Sequence, residues 1–371
     1  MNYLHGVDHI TDLDGQLRGR RLGLITNPTG VTSGLVPTIE VLRERYDLVR
    51  LYAPEHGVRG ALQAGAKVTN GVDPLSGLPV VSLFGEHEAD FAPFEGVDCV
   101  LFDIQDIGAR FYTYLYTLSD AMKLCAQAKV PLIVLDRYNP LGLSRAEGTL
   151  LREEFSSGVG RYELPARHAM TIGEFGRYVN AEKHIGCELQ VLPCLGLDRQ
   201  MDARQVCVPW VMPSPNIPTW ESALVYIGTC LFEGTNLSEG RGTTRPFELI
   251  GAPWLRADEV TARMNRLDLP GARFRTAYFT PTFSKHAGKL CAAVQVHVLD
   301  PDAFEPFRCG LTLLQTIRET HDELELLPFI DLLAGTDRLR APDFEPERFL
   351  AEEAERIRRF EERIAPYRLY Q

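Results

Sequence analysis

The stretch LYAPEHGVRG at residues 51–60 decides how this chain is read, because it joins a buried strand to a polar loop. A short apolar run ends at Pro54, and the turn that follows, punctuated by glycines, carries Glu55, His56 and Arg59. In open α/β sheets, ligands bind in the crevice outside the carboxyl ends of the strands. A carboxylate next to an imidazole at such a position therefore predicts a functional site.

Apolar runs of the same kind recur through the first half of the chain and alternate with segments of helical periodicity. The predicted strands are residues 22–26, 48–53, 79–83, 97–103, 132–136 and 188–192. A helix with a capping box is predicted from Thr171, since Glu174 lies three residues further on. Strands that alternate with helices imply right-handed crossovers and a mostly parallel α/β sheet.

Beyond about residue 255 the pattern changes. Residues 291–299 alternate between apolar and polar side chains, which is typical of a half-buried strand. Helical segments follow at about residues 302–320, 326–334 and 345–364. The sequence predicts a larger domain at residues 1–250 and a smaller α+β domain at residues 251–371.

Charge and composition exclude several classes of function. The 371 residues carry a net charge of −11, which argues against nucleic acid as the main partner. There is no run of about eighteen apolar residues, so no membrane span is expected. The eight cysteines show no C-x-x-C spacing, and the first ten residues lack an apolar signal core. We therefore expect reduced core thiols in a cytoplasmic protein.

Two long segments have neither strand nor helix periodicity. Residues 209–219 contain four prolines, and residues 234–254 are polar and rich in glycine. Loops of this length inside a compact chain are usually functional or disordered. For residues 234–254 the flanking apolar residues favour a functional role, whereas the prolines of residues 209–219 predict an extended loop with a fixed path.

Familiar cofactor and nucleophile motifs are missing. The sequence contains no phosphate-binding P-loop and no G-x-S-x-G elbow, and the glycines at 240 and 242 lack the third glycine of a dinucleotide fingerprint. No cofactor is expected. Glu55, His56, Asp103 and Asp106 could in principle bind a divalent ion, but they show no tight ligand spacing, so no metal site is predicted.

Carboxylates on loops are the remaining candidates for chemistry. They are Glu55, Asp103, Asp106, Asp136, Glu147 and Glu239. Glycoside hydrolysis commonly uses two carboxyl groups, one of them kept protonated by burial or by a nearby negative charge. Structural alternatives stay open: Asp103 can cap a turn, His168 can be a hydrogen-bonded group beside a helix start, and Arg241 can pair with Glu239.

Six blocks of sequence recur in this order in one known family. They are NPTG at 27–30, APEHG at 53–57, FDIQDIGARFYTY at 102–114, PSPNIPT at 213–219, EGTNLSEGRGTTRPF at 233–247 and FSKH at 283–286. On these blocks the chain resembles the NamZ-like exo-β-N-acetylmuramidases of bacterial peptidoglycan turnover. The resemblance covers nearly the whole chain.

The resemblance implies a Rossmann-like, mostly parallel sheet with helices on both faces, and a smaller C-terminal domain that closes over the cleft. It implies an exo-acting glycoside hydrolase that releases N-acetylmuramic acid (MurNAc) from the non-reducing end of fragments such as the disaccharide MurNAc-GlcNAc, where GlcNAc is N-acetylglucosamine. The predicted partner is thus a small molecule, the disaccharide or a muropeptide. Many relatives carry an export signal that this chain lacks, which favours intracellular recycling.

Within that resemblance, Glu55 is the residue carried over as catalytic, acting as general acid/base. Glu239 and then Glu147 are the candidates for a second carboxylate, and the substrate's own acetamido group is the alternative stabiliser. The lactyl carboxylate of MurNAc calls for an arginine, and the candidates are Arg59, Arg110, Arg241 and Arg245. Predicted substrate-binding residues are His56, Arg59, Asp103, Gln105, Arg110, Tyr112, His168, Asn216, Asn236, Arg241, Thr243, Arg245 and His286. A non-catalytic sugar- or nucleotide-binding protein and a metal-dependent hydrolase are the competing interpretations.

Overall fold

A seven-stranded sheet organises the N-terminal half of the chain. The computed structural model describes residues 3–85 and 91–371, so the first two residues of the N-terminal segment considered for export lie outside it. The strands are β1 (Arg21–Thr26), β2 (Asp47–Ala53), β3 (Gly71–Val72), β4 (Pro79–Ser82), β5 (Cys99–Asp103), β6 (Leu132–Leu135), β7 (Glu147–Leu150), β8 (Pro165–Arg167), β9 (Leu189–Leu192), β10 (Leu249–Ala252), β11 (Ala272–Phe279) and β12 (Cys291–Val298).

Helices connect these strands and make up most of the C-terminal part. They are α1 (Asp14–Leu17), α2 (Thr38–Arg45), α3 (Tyr114–Ala128), α4 (Ile172–Glu182), α5 (Ala203–Val206), α6 (Trp220–Thr229), α7 (Ala257–Arg266), α8 (Pro306–Thr320), α9 (Phe329–Ala334) and α10 (Pro346–Ile364). The capping box predicted at Thr171 and Glu174 is confirmed at the start of α4.

The order of strands in the large sheet is β3-β4-β2-β1-β5-β6-β9, and every neighbouring pair is parallel except β3 with β4. From β1 the chain first builds one side of the sheet through β2 and then crosses to the other side at β5. A reversal of this kind leaves a crevice at the carboxyl ends of the strands. The predicted mostly parallel α/β sheet is confirmed.

Both faces of the large sheet are buried. Along β5, Leu101 belongs to the apolar cluster that contains Leu42 of α2, whereas Phe102 belongs to the cluster that contains Met122 of α3 and Phe175 of α4. Apolar residues on consecutive strand positions are typical of a parallel sheet covered on both sides. The prediction of helices on both faces is confirmed.

The smaller C-terminal unit is built on a three-stranded antiparallel sheet, ordered β10-β12-β11, with α7 packed against β11 and β12. This confirms the predicted smaller α+β unit. Strand β10 spans the predicted boundary between residues 250 and 251, and the division into residues 1–250 and 251–371 stays a prediction. In the part of the chain that the structure describes, no helix combines the length and apolar character needed to cross a bilayer.

Candidate active site

Glu55 lies in the loop directly after β2, at the carboxyl end of the large sheet, and is 8 % exposed. Its Oε1 accepts a hydrogen bond from the backbone N–H of Gly65 at 2.9 Å. Its Oε2 accepts one from the hydroxyl of Thr113 at 2.7 Å. Both donors are neutral, and the Thr113 hydroxyl can turn to accept instead if the carboxyl carries a proton. The contact between Thr113 and Glu55 can therefore form with either group as the donor.

His56 is held beside it in an uncommon backbone conformation. Its φ of 70° lies in the left-handed region, which costs a non-glycine residue free energy and clusters at functional sites. Its Nδ1 lies 2.7 Å from the carbonyl oxygen of Leu62. A carbonyl can only accept, so Nδ1 carries the proton and Nε2 is the ring atom left for other contacts.

These two residues line a pocket of about 590 Å³. Three parts of the chain contribute its polar walls. They are Tyr112 and Thr113 before α3, Ser214 and Asn216 in the proline-rich segment, and Glu233 and Arg241, which lie just before and within the glycine-rich segment. The structure thus brings together five of the predicted site residues and adds a carboxylate that was not predicted. The five are Glu55, His56, Tyr112, Asn216 and Arg241.

The added carboxylate is Glu233, in the 3₁₀ turn Cys230–Gly234 that follows α6. Arg241 donates to its Oε1 from Nη2 at 2.5 Å and from Nε at 3.2 Å. Burial raises the pKa of the Glu233 carboxyl above its ordinary value, Arg241 opposes that rise, and the negative charge of Glu239 adds to it. Sequence reasoning missed Glu233 because it follows an apolar run, although its place at the head of the EGTNLSEGRG block was a usable signal.

Neither predicted second carboxylate is brought into this pocket. Glu239 is buried behind Arg241, 3.3 Å from that residue's Nε and 2.8 Å from the Nζ of Lys285. Glu147 faces a different pocket, between β7, α8 and α10, where its Oε1 accepts from the backbone N–H of Phe307 at 2.8 Å. The structure therefore gives Glu239 a supporting position and separates Glu147 from Glu55.

Three predicted binding residues near the sheet crevice make structural contacts with other groups of the protein. Asp103 is completely buried and forms a two-point ion pair with Arg137, at 2.5 and 2.9 Å. Gln105 donates its amide hydrogens to the carbonyls of Asp106 and Tyr138. The buried His168 lies 3.0 Å from the Asp106 carboxylate, which matches the structural alternative for this residue. With Asp103 paired to Arg137, the four residues of the metal alternative are not assembled into one site.

Three of the four arginines considered for the lactyl group also lie elsewhere. Arg59 forms a two-point ion pair with Asp73, at 2.8 and 2.7 Å. Arg110 is fully buried, and its guanidinium donates to backbone carbonyls rather than to a carboxylate. Arg245 is half exposed and lies 3.3 Å from Glu248. Of the four, Arg241 lines the pocket.

The last three predicted residues stabilise the glycine-rich loop itself. The side chain of Asn236 bonds to the backbone of residues 323 and 325. The hydroxyl of Thr243 donates to the carbonyl of Gly240 at 2.6 Å, and the Nε2 of His286 lies 2.8 Å from the carbonyl of Asn236. Within the described residues, no group of three or more His, Cys, Asp or Glu side chains is arranged to hold a metal ion.

Comparison with known proteins identifies one family over most of the chain. Residues 22–221 match the family model "Exo-beta-N-acetylmuramidase NamZ, N-terminal", and residues 224–370 match the corresponding C-terminal model. Glu55 falls in the first region, and Glu233 and Arg241 fall in the second. The chain is 46% identical over 342 residues to the peptidoglycan beta-N-acetylmuramidase NamZ of Bacillus subtilis (strain 168), covering 90% of this chain and 83% of that protein.

Two crystal structures have the same fold. Both are DUF1343 family proteins from Bacteroides fragilis NCTC 9343, and each is matched over 100% of this chain and 99% of theirs. One has a TM-score of 0.89 at 31% sequence identity, and the other has a TM-score of 0.82 at 28%.

Proposed function

The chain belongs to the NamZ family of exo-β-N-acetylmuramidases, and from that membership we propose that Glu55 and Glu233 together cleave the glycosidic bond of its substrate. The protein is a glycoside hydrolase that releases MurNAc from peptidoglycan fragments. One observation carries the assignment of the two residues. Both line the same pocket, but the hydrogen-bond donors to Glu55 are uncharged, whereas Glu233 is paired with the guanidinium of Arg241.

Glu55 is the general acid/base in this proposal. Its hydrogen-bond donors, the Gly65 N–H and the Thr113 hydroxyl, carry no charge, and neither forms an ion pair with the carboxyl group. A glycosidase acid must carry a proton to the departing sugar oxygen and then take one from water. A carboxyl group with neutral, reorientable partners suits both steps.

Glu233 is the stabilising carboxylate. Burial raises the pKa of its carboxyl, and the Arg241 guanidinium on its Oε1 opposes that rise by favouring the ionised form. A negative charge opposite the anomeric carbon stabilises an oxocarbenium-like transition state. The attraction between this carboxylate and the positive charge of the transition state is stronger at a buried site, because the local dielectric is low. Glu233 replaces Glu239 and Glu147 as the second carboxylate of the proposal.

Arg241 is also the arginine that we assign to the lactyl carboxylate. Its Nε and Nη2 contact Glu233, whereas its Nη1 has no hydrogen-bond partner among residues 3–85 and 91–371. A guanidinium has five donor hydrogens in a planar fork, so one group can serve two carboxylates. His56, Tyr112 and Asn216 are proposed to contact the sugar from the other walls of the pocket.

Two substrates with different leaving groups distinguish the roles of the two carboxyl groups in a single experiment. We would compare Glu55→Gln, Glu233→Gln and wild type on a chromogenic β-MurNAc glycoside and on MurNAc-GlcNAc, with EDTA present as a check on metal dependence. Removing a general acid costs about 10²–10⁴-fold on a poor leaving group and far less on an activated one. Glu55→Gln should therefore lose the disaccharide reaction selectively, and Glu233→Gln should lose both reactions to a similar degree.

Glu221→Gln is the matched control, because it removes an exposed carboxylate from α6 close to the pocket in sequence. Full disaccharide activity in Glu55→Gln would overturn the assignment of the acid. Binding of MurNAc without turnover in the wild type would favour the sugar-binding alternative, and loss of activity in EDTA would favour the metal-dependent one.

We also propose a cytoplasmic location. All eight cysteines are unpaired thiols and seven are buried; Cys207, at the end of α5, is exposed rather than part of the core as predicted. Free thiols persist in reducing compartments. Fractionation of cells that make the full chain tests this, and recovery in an exported fraction would contradict it.

A further inference from the structure

The block FSKH at residues 283–286 lies in the connection between β11 and β12 and contacts the loop that carries Glu233 and Arg241. Two of its non-glycine residues have left-handed backbone conformations, Ser284 at φ 71° and His286 at φ 58°. Such conformations persist where surrounding contacts enforce them. The block is therefore built to present its side chains in fixed positions.

Lys285 makes the central contacts. Its Nζ donates to the carbonyl of Phe232 at 2.7 Å and to the carbonyl of Thr235 at 3.0 Å, one on each side of Glu233 in the sequence. The same Nζ lies 2.8 Å from Oε2 of Glu239. One ammonium group thus contacts both the turn that holds Glu233 and the buried carboxylate behind it.

Neighbouring contacts fix the far end of the loop. The Nε2 of His286 lies 2.8 Å from the carbonyl of Asn236, and Thr282 donates to the carbonyl of Gly242 from both its N–H and its hydroxyl, at 3.0 Å each. Gly242 directly follows Arg241. The connection between β11 and β12 therefore fixes the loop on either side of the arginine.

The charged groups form a chain of alternating sign that ends in the pocket: Lys285, Glu239, Arg241 and Glu233. The joining distances are 2.8 Å from Lys285 to Glu239, 3.3 Å from Glu239 to Arg241, and 2.5 Å from Arg241 to Glu233. Glu239 is buried, so its charge needs partners on both sides. Lys285 supplies one and Arg241 the other.

We propose that Lys285 and Glu239 are positioning residues, which act through Arg241 to set the orientation and the ionisation of Glu233. The inference rests on the role of Glu233 in the proposed function. If Lys285 were uncharged, Glu239 would draw more strongly on Arg241, and Glu233 would lose part of its counter-charge. If Glu239 were uncharged, Arg241 would be left to Glu233 alone.

Several titratable or charged groups face Glu233 from the elements packed around it. Arg241 and Glu239 come from its own loop, Lys285 from the β11–β12 connection, and Tyr226 and Cys230 from α6 and the turn after it. Glu55 and His56 share the pocket from the β2 side. Among these, the charge of Glu239 raises the pKa of the Glu233 carboxyl and that of Lys285 lowers it. The two positioning residues therefore have opposite effects on one group.

The test is the pH dependence of kcat/KM on the chromogenic β-MurNAc glycoside. The part that matters is the acid limb, the range of low pH over which activity rises as the pH increases. Glu233 must be ionised to act, so this limb follows its pKa. Lys285→Met should move the limb to higher pH and Glu239→Gln to lower pH, each by about 0.5–1 unit, less than the roughly 1–3 units of a direct ionic contact. The double variant should return close to the wild-type limb.

Two further variants separate charge from folding. Lys285→Gln loses the charge but keeps a donor for the carbonyls of Phe232 and Thr235, so it should shift the limb as Lys285→Met does even if the methionine variant folds poorly. Lys289→Met removes the same charge from an exposed position in the same connection and should leave the limb unchanged.

A limb that stays fixed, or that moves the same way in the Lys285 and Glu239 variants, would overturn the inference, even if kcat or thermal stability falls. The outcome for the proposed function is read separately. An active Glu233→Gln would reject the catalytic role of Glu233 itself, whereas an inactive Glu233→Gln with fixed limbs would reject only the positioning role of Lys285 and Glu239.

Discussion

The Nη2 of Arg241 lies 2.5 Å from Oε1 of Glu233, so the pocket's guanidinium and one of its two carboxylates form a single charged unit. The residues come from the two ends of one loop, eight positions apart. Because the two charges offset each other, the pocket can accept an anionic sugar next to a carboxylate. Specificity and catalysis should therefore both depend on Arg241.

Replacing Arg241 with alanine should reduce the binding of MurNAc far more than that of GlcNAc. A charge-assisted hydrogen bond is worth about 1.5–3 kcal/mol, which corresponds to roughly 10- to 100-fold in the inhibition constant of MurNAc. Inhibition constants of the two free sugars measure the difference. Arg245→Ala, in the same loop but outside the pocket, is the control and should change neither constant. Equal losses for both sugars in Arg241→Ala would contradict the assignment.

Replacing Arg110 with methionine should destabilise the fold without altering the pocket. The buried guanidinium donates to the carbonyls of Thr149, Leu164 and Leu333, which belong to three separate segments. Leaving buried acceptors without donors costs about 1–3 kcal/mol each, so the free energy of unfolding should fall by roughly 3 kcal/mol or more. Urea unfolding measures this fall. Arg348→Met, exposed on α10, should change it by less than about 0.5 kcal/mol, and a similarly small effect at Arg110 would reject the explanation.

The contrast between Arg110 and Arg241 shows what the sequence could and could not predict. The chemistry of the two residues is the same, and both lie in polar, glycine-containing blocks. Their positions differ because Arg110 turns into the interior towards three carbonyls from segments that are distant in sequence, and local pattern carries no information about that packing. Glu55 was predictable because its position depends only on the end of a strand.

Glu233 and Glu239 illustrate the same limit within one loop. They lie six positions apart, and the sequence favoured Glu239. The connection between β11 and β12 covers Glu239 with Lys285, a contact across 46 positions, and leaves Glu233 towards the pocket. The mostly parallel sheet was predictable because its strands are continuous apolar runs, whereas which carboxylate lines the pocket depends on tertiary contacts.

His5 should make the stability of the protein fall as the pH drops below neutral. Burial, and then the charge of Arg137, lowers the pKa of its imidazole to about 2, against about 6.5 in the unfolded chain. Between these values the unfolded state binds a proton that the folded state does not, so stability is fully present above pH 6.5 and is lost as the pH falls below it. The loss is about 1.4 kcal/mol per pH unit, or roughly 2 kcal/mol between pH 6.5 and 5.

Urea unfolding at pH 7, 6 and 5 tests this for the wild type and for His5→Gln, which keeps a polar partner for the hydroxyl of Tyr3. The wild type should lose about 2 kcal/mol more than the variant over this range. Parallel pH profiles of the wild type and His5→Gln would show that His5 does not contribute.

Replacing Thr113 with valine should reduce turnover while leaving the fold intact. The side chain is nearly the same size, but the hydroxyl that contacts Oε2 of Glu55 at 2.7 Å is lost, and with it the group that can donate to the carboxylate and accept from the acid. A hydrogen bond to a charged group is worth about 1.5–3 kcal/mol, so kcat on MurNAc-GlcNAc should fall roughly 10- to 100-fold. Thr113→Ser keeps the hydroxyl and should retain most of the activity.

Since Thr113 serves the proton donor, the loss should be smaller on the chromogenic glycoside, whose leaving group needs less protonation. An equal loss on both substrates would mean that Thr113 acts on sugar binding or on the loop rather than on the proton transfer of Glu55.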